Sequence, residues 1–457
     1  MSRDDTDREG DDTTLHITHE LLQAVRAGRI PPRAVVVIGL EHLRCVCPHC
    51  RAEIDRDVEQ RRQVAYAGPE GFDETFRSLE AMLQEHSAEM EAQGQRAEGL
   101  FAQILAVAPA QRLEHVRASL GIYTEGLVAR HLIDAARQAT PGEPETVRIL
   151  AQCAHEICEQ LEQRVPDRGG MMVEAVSLLG NAERLEAKFE NARALFRLAQ
   201  ATLSEEGVTD PMVYAELDSF RGSLARDVGQ LKEAARLVSR AAVVYSGLAE
   251  VVLAAKCAVK LGYIHYQAGE YQESLRAFQR ALRHLRGEEE PRLLLCARHT
   301  ATLCLFELGE LVVAGQRFEE DQPLYARFDD AWTRLRRDWL EGRLLAAVRP
   351  DEGARVLRLV QRAFLVEHAV YDAVLVSLDL AQVLLQGGRV AELDGLAAEL
   401  SEVLRVEGAT MAAETVAITR TVLATIMSGS ATVRLIADTA ALLRRQGRPP
   451  AAVGSAN

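Results

Sequence analysis

Aromatic side chains are scarce in this 457-residue chain, at 5% of the sequence. Long apolar runs are missing: no stretch of 18 apolar residues exists, so no membrane-spanning helix is expected. Basic residues are outnumbered, 53 Lys and Arg against 67 Asp and Glu, for a formal net charge of -14. A chain that repels polyanions in bulk is not expected to bind nucleic acid directly. The opening MSRDDTDREGDDTT is acidic and polar, the opposite of a secretory leader, so a cytoplasmic chain with a disordered acidic tail over 1–14 is expected. Catalytic signatures are lacking too: there is no GxxxxGK[ST], GxGxxG after a strand, GxSxG or HExxH. Few segments read as strands, so no sheet edge is left to present a nucleotide. The expectation is a protein that catalyses nothing.

Ala, Leu, Arg and Glu abound, and these are helix formers. The organising stretch is 261–282, LGYIHYQAGEYQESLRAFQRAL. It reads as two amphipathic helices joined by a turn at Ala268-Gly269-Glu270. Turn glycines recur at Gly229, Gly269 and Gly309, in steps of 40. First-helix glycines stand at Gly222, Gly262 and Gly342, with Thr302 in the missing place. Small second-helix residues stand at Ala234, Ser274, Ala314 and Ala354. Three ladders with one period mark an internal repeat.

The stretch resembles a tetratricopeptide repeat: Leu-Gly, an aromatic, a turn Gly, a second aromatic, a small residue, a third aromatic and a final Ala. The resemblance implies an all-α, right-handed α-solenoid over 99–446. Its helix pairs are expected at 171–186 with 189–203, 211–227 with 231–245, 253–267 with 271–285, 293–308 with 311–324, 330–348 with 352–364 and 370–386 with 390–404. Segments 409–427 and 431–444 are expected to cap the stack, and 447–457 to be a disordered tail. Residues 56–98 read as a charged linker helix.

Residues 15–55 form a unit of their own. Two short helices lead to Cys47-Pro48-His49-Cys50, a knuckle whose turn lets both sulfurs face one point. His16, His42, Cys47 and Cys50 can close a tetrahedron around zinc. The arrangement is similar to the zinc finger of bacterial anti-sigma factors, which implies the same four ligands. The spacing departs from that pattern, because four residues rather than three separate His42 from Cys47. Cys45 is an alternative thiolate, and His19 or His49 an alternative imidazole. A cluster of thiols can also lose its metal on oxidation and act as a sensor. The remaining cysteines, Cys153, Cys158, Cys257, Cys296 and Cys304, read as small core residues.

DWLEGRL at 338–344 and YDAVLVSLDLAQVLLQGGR at 371–389 resemble a bacterial family that joins such a zinc finger to a tetratricopeptide array. Arg298-His299 and Leu179-Gly180-Asn181 fit it as well. The repeat groove and the zinc unit together lead to the expectation of a regulatory adaptor that holds protein or peptide partners. The alternative is a cytosolic anti-sigma factor that sequesters a sigma factor. First helices are expected to line a concave groove with Asn181, Arg184, Ser223, Arg226, Tyr263, Tyr266, His299, Arg336 and Arg343. Rings, amides and guanidinium groups in that pattern suit an extended or helical segment carrying carboxylates.

Overall fold

The computed structural model describes residue 56 and residues 70–124, 126–139, 143–163, 165–285, 290–406, 411 and 413–446. The chain divides into two units, Met1–Gln93 and Gly94–Asn457. The zinc-ligand candidates His16, His42, Cys47 and Cys50, with Cys45, His19 and His49, lie outside the described residues, as do both tails. The described part of the first unit is essentially the opening of one long helix, α1 (Glu70–Ala106).

In the second unit α2 (Pro109–Ala118), α3 (Gly126–Gln138) and α4 (Pro144–Gln160) come first. Helix pairs follow: α5 (Arg168–Leu185) with α6 (Phe189–Glu205), α7 (Pro211–Asp227) with α8 (Leu231–Gly247), and α9 (Val251–Ala268) with α10 (Tyr271–Leu282). Next come α11 (Pro291–Glu307) with α12 (Leu311–Glu320) and the short α13 (Gln322–Tyr325), then α14 (Ala331–Val348) with α15 (Pro350–Val366), and α16 (Val370–Gln386) with α17 (Val390–Val406). The last two are α18 (Ala413–Met427) and α19 (Val433–Gln446). No strand occurs among the described residues. The fold is a tetratricopeptide-like α-solenoid. Among the described residues no helix is long and apolar enough to cross a membrane.

Local chemistry sets the helix boundaries. Proline occupies the first turn of α2, α4, α7, α11 and α15, where its missing N–H is not needed. The Asp210 carboxylate accepts from the Met212 N–H at 2.8 Å, and Asp330 accepts from the Thr333 N–H at 2.9 Å, capping α7 and α14. Pro323 divides the helix expected over 311–324 into α12 and α13, with Asp321 at the break.

The glycine ladders have two separate causes. Gly229, Gly269 and Gly309 sit at φ +78°, +79° and +80°, the left-handed turn that only a residue without Cβ adopts freely. Gly262 serves close approach instead. A Cβ there would stand 2.7–2.8 Å from three atoms of the Phe278 ring. Across that contact the Ser274 hydroxyl donates to the Gly262 carbonyl at 2.7 Å. Thr302, in the missing place, is buried and returns its hydroxyl to the Arg298 carbonyl at 3.1 Å. Ala234, Ser274, Ala314 and Ala354 are all buried against the preceding helix. Cys153, Cys158, Cys257 and Cys304 are buried as expected, and burial pushes the Cys153 and Cys158 thiols up to about 12. Cys296 is half-buried.

Successive first helices (α5, α7, α9, α11, α14, α16) touch one another, while successive second helices meet far less. The first helices therefore form the inner layer of the curve. The end of the stack departs from the expected cap. Helix α18 packs beside α17, but α19 turns back inward, lies along α16 and reaches α9. Its buried stripe is Ile436, Thr439, Ala440 and Leu443. The cause lies in α16. Its sequence VYDAVLVSLDLAQVLLQ is predominantly apolar and nearly every position is buried, Asp372, Ser377 and Asp379 included, so the helix is covered all round.

Candidate binding groove

The inner wall is built one first helix at a time. On α5 and α7, Arg184 and Arg226 converge on one carboxylate, Asp227, at 2.5 and 2.6 Å. The Arg184 Nε–H also donates to the Asn181 side-chain oxygen at 3.0 Å. Lys260 of α9 adds a third cation. Its ammonium donates to the Ser219 hydroxyl at 2.6 Å and the Ser219 carbonyl at 3.2 Å, and lies 5.6 Å from the Phe220 ring centre. Burial, with Arg184 and Arg226 adding to the push, brings Lys260 down to about 8. Lys260 is one of four lysines in the chain, the others being Lys188, Lys232 and Lys256.

Three successive first helices meet at the middle of the wall. Tyr263 of α9 stands edge-on to Phe278, with ring centres 5.4 Å apart. His299 of α11 shares a 2.7 Å hydrogen bond with the Tyr325 hydroxyl. Burial, together with Arg336 and Arg343 of α14, pushes His299 down to about 3, so the ring is neutral at physiological pH. Arg336 is exposed, with its guanidinium 5.9 Å from the Trp332 ring centre. No carboxylate among the described residues pairs with it. Tyr263, His299 and Arg336, 36 and 37 residues apart in sequence, thus share one patch.

Beyond it lies a buried charge cluster. Arg343 meets Glu307 of α11 at 2.8 Å and Asp379 of α16 at 3.4 Å, and covers the Phe306 ring at 4.3 Å. Arg444 of α19 closes the cluster on Asp379 at 2.7 Å and Glu307 at 3.8 Å. The Trp339 indole N–H donates to Asp379 at 2.8 Å. Burial raises the Asp379 carboxyl, but Arg444, Arg343 and the Trp339 hydrogen bond outweigh it, so the group lies below its ordinary range. Tyr266 stands beside this cluster, 5.5 Å from the Tyr271 ring.

The expected wall residues thus fall into three groups. Tyr263, Tyr266 and His299 are half-buried on first helices, and Arg336 is exposed. Asn181, Arg184 and Arg226 are half-buried in ion pairs and hydrogen bonds. Ser223 and Arg343 are buried: the Ser223 hydroxyl returns to the Ser219 carbonyl at 3.0 Å, and Arg343 is enclosed by its two carboxylates. The basic strip of four arginines expected from the sequence is therefore largely neutralised, because the same wall supplies Asp227, Glu307 and Asp379. Those acids, with Lys260 and Arg444, are the residues that sequence reasoning missed. Counting positions along the repeat finds the inner face but not which charges will pair across it. Among the described residues no three His, Cys, Asp or Glu side chains gather as a metal site.

With this geometry in hand, the chain can be set beside known proteins. No protein-family model matches it, and no curated sequence matches it. A solved structure does. A Rap protein complexed with competence and sporulation factor superposes with a TM-score of 0.53, over 73% of this chain and 87% of its own, at 12% identity. The shared feature is the fold. Two further structures give lower TM-scores: aspartyl phosphate phosphatase F from Bacillus subtilis (0.46; 13% identity; 62% of this chain and 72% of its own) and the apo form of the quorum sensor NprR from B. thuringiensis (0.44; 11%; 77% and 99%). At these identities the likeness speaks for the architecture alone.

Proposed function

We propose that this protein is a regulatory adaptor that binds a protein or peptide segment along the inner wall of its solenoid and performs no chemistry on it. The observation that carries the reading is the patch of Tyr263, His299 and Arg336. Three repeats deliver to one place an aromatic ring, a neutral imidazole and a guanidinium that has no carboxylate partner among the described residues. Aromatic and arginine side chains on a concave surface are what peptide recognition uses. The Rap protein of similar fold was itself solved with a bound factor, which supports the reading by analogy. Arg184 and Arg226 share the single carboxylate of Asp227, and Lys260 on the neighbouring helix is held by Ser219, so that end of the wall offers positive charge to a carboxylate on the ligand.

The test is partner capture by the full chain. Arg336→Glu combined with Tyr263→Ala should release the captured partner while the chain keeps its helicity, with a lower melting point because Tyr263 packs edge-on against Phe278. Recovery of the same partner at the same salt concentration would remove the groove from consideration.

The N-terminal segment enters as a second contact. His16, His42, Cys47 and Cys50 offer two imidazoles and two thiolates, the donor set of a structural zinc site, with Cys45, His19 and His49 as neighbouring alternatives. On this reading one zinc per chain holds residues 15–55 together, as in the bacterial zinc-finger and repeat proteins that the sequence resembles. Cys47→Ser with Cys50→Ser should lose the metal in elemental analysis, and zinc retained at one per chain would sink the assignment. If the captured partner is a sigma factor held by this segment, the anti-sigma alternative replaces the adaptor reading.

A further inference from the structure

Helix α19 occupies the inner wall as a ligand would. It touches the stack at three polar points besides its narrow apolar stripe. Arg444 enters the Glu307, Arg343 and Asp379 cluster. The Tyr371 hydroxyl donates to the Leu443 carbonyl at 2.7 Å. The Gln267 side-chain amide donates to the Arg445 carbonyl at 3.0 Å, across 178 residues of sequence.

Both accepting carbonyls lie in the last turn of α19, where backbone oxygens have no partner within their own helix. The seat therefore recognises the C-terminal end of a helix, by hydrogen bonds that need no particular side chain. It adds one requirement on sequence. Without Arg444, the two carboxylates of Glu307 and Asp379 would face the single guanidinium of Arg343 in a buried site. An unbalanced buried charge is costly, so whatever fills the seat must bring a cation. Nor can the seat stand bare, because besides Asp379 and the Tyr371 hydroxyl the apolar residues of α16 share one core with Ile436, Ala440 and Leu443 of α19. The connection to α18 is short and bends at Gly429, φ +68°.

We propose that the seat formed by Gln267, Glu307, Tyr371 and Asp379 is a docking surface for an amphipathic helix that ends with an arginine beside its apolar stripe. In this scheme α19 is the tethered occupant that such a helix displaces. The partner class follows from the seat: a helix C-terminus, an apolar stripe of Ile, Ala and Leu size, and an arginine in the last turn. The inference rests on the groove reading above and deepens it, because the groove then has two ends of opposite demand. The end at α5–α9 favours a carboxylate, and the end at α11–α16 requires a cation.

The test uses a synthetic peptide of residues 431–446, fluorescently labelled, against the full-length chain. Arg444→Glu in the chain sets a third carboxylate beside Glu307 and Asp379 and should expel α19. That variant should bind the peptide at least about ten-fold more tightly than the unmodified chain does, because the tethered competitor is gone. A peptide carrying the same Arg444→Glu change should fail to bind either chain. A folded Arg444→Glu chain that binds neither peptide, or both equally, overturns the proposal. Should that variant not fold, Arg444→Gln, which keeps a hydrogen-bonding side chain, is read by hydrogen exchange. Amides of α19 should then lose about ten-fold or more protection while α9 and α14 keep theirs, and unchanged protection in α19 refutes the exchange. The two readings fail separately. If the peptides do not bind but Arg336→Glu with Tyr263→Ala still abolishes partner capture, the seat is refuted and the groove stands. If that double variant leaves capture intact, the groove reading falls, whatever the peptides do.

Discussion

Replacing Gly262 by alanine adds one methyl group, and the sign of its effect decides whether the repeat register is right. An added Cβ would lie 2.7 Å from Phe278 Cζ and 2.8 Å from Cε1 and Cε2. Carbon atoms prefer roughly 3.5–4.0 Å, so all three contacts are too short by about 0.7 Å or more. The ring cannot retreat: Phe278 is fully buried and stands edge-on to Tyr263. Helices α9 and α10 must separate instead, and separation stretches the 2.7 Å hydrogen bond from Ser274 to the Gly262 carbonyl. Overpacking costs about 1–3 kcal/mol, and the weakened hydrogen bond about 0.5–1.5 kcal/mol more. Alanine's better helix propensity returns about 1 kcal/mol. The net expectation is a loss of about 0.5–3.5 kcal/mol in urea unfolding. Solenoids can open regionally, so hydrogen exchange in α9 and α10 should show the loss first. Phe278→Leu in the same chain should recover part of it, giving a non-additive double-mutant cycle. Were Gly262 exposed, alanine would stabilise by about 1 kcal/mol. A Gly262→Ala chain at or above the stability of the unmodified one would refute the close-approach argument.

Other expectations follow from the same wall and turns. Ala249 holds φ +59° at the α8–α9 turn, where the α6–α7 turn carries Gly207 (φ +62°) and the α15–α16 turn His368 (φ +54°), so Ala249→Gly should stabilise by up to about 1 kcal/mol in thermal melting, and Gly269→Ala should destabilise by a similar amount. His299 is neutral in the fold, held down to about 3 by burial and its two arginine neighbours, but takes a proton near pH 6.5 when unfolded. Its contribution is therefore fully present above about pH 6.5 and is lost progressively as pH falls towards 3, by at most about 2 kcal/mol between pH 6.5 and 5. His299→Gln should flatten that slope, and an unchanged slope would assign it to other groups. Asp379→Asn leaves Arg343 and Arg444 with Glu307 alone and should cost about 3–5 kcal/mol, read from denaturant midpoints. Lys260, at about 8, should be acylated ahead of exposed Lys232 near pH 8, as followed by peptide mass spectrometry, and acylation no faster than that of Lys232 would refute the expectation.

The repeat was legible in the sequence because its glycines and small residues answer to backbone geometry. A left-handed turn and a helix–helix approach each admit few residue types, so Gly229, Gly269 and Gly262 mark their places whatever surrounds them. Ala249 shows the limit of that logic. It holds the same left-handed backbone without being glycine, and the turn between α8 and α9 carries no glycine to mark it. The charges were legible in position but not in pairing. Arg343 was placed on the inner wall, yet its partners, Glu307 and Asp379, come from the helices before and after it, and nothing local to Arg343 names them. The inward turn of α19 was hidden for another reason. Ala431 to Arg444 has the amphipathic pattern of an ordinary capping helix, and only the predominance of apolar residues in α16 signals that a further cover is needed.

The pairing does follow a rule once the helices are in place. The structural ladder steps by 40 residues, from Gly262 to Thr302 to Gly342. The ion pairs step by less: Arg343 meets Glu307 across 36 residues and Asp379 across another 36. The shortfall of four residues is about one helical turn. Relative to the ladder, each successive charge sits one turn nearer the N-terminal end of its own helix: Glu307 lies one turn past the ladder equivalent of Arg343 on α11, and Asp379 one turn before it on α16. The charges therefore run as a diagonal row across α11, α14 and α16 rather than along the line of closest backbone approach. A diagonal of alternating sign, Glu307, Arg343, Asp379, has a negative group at each end, and Arg444 of α19 reaches both. An occupant crossing the inner wall thus meets alternating demands fixed by the pitch of the repeat. That is why a helix presenting one well-placed arginine fits where a uniformly acidic segment would not.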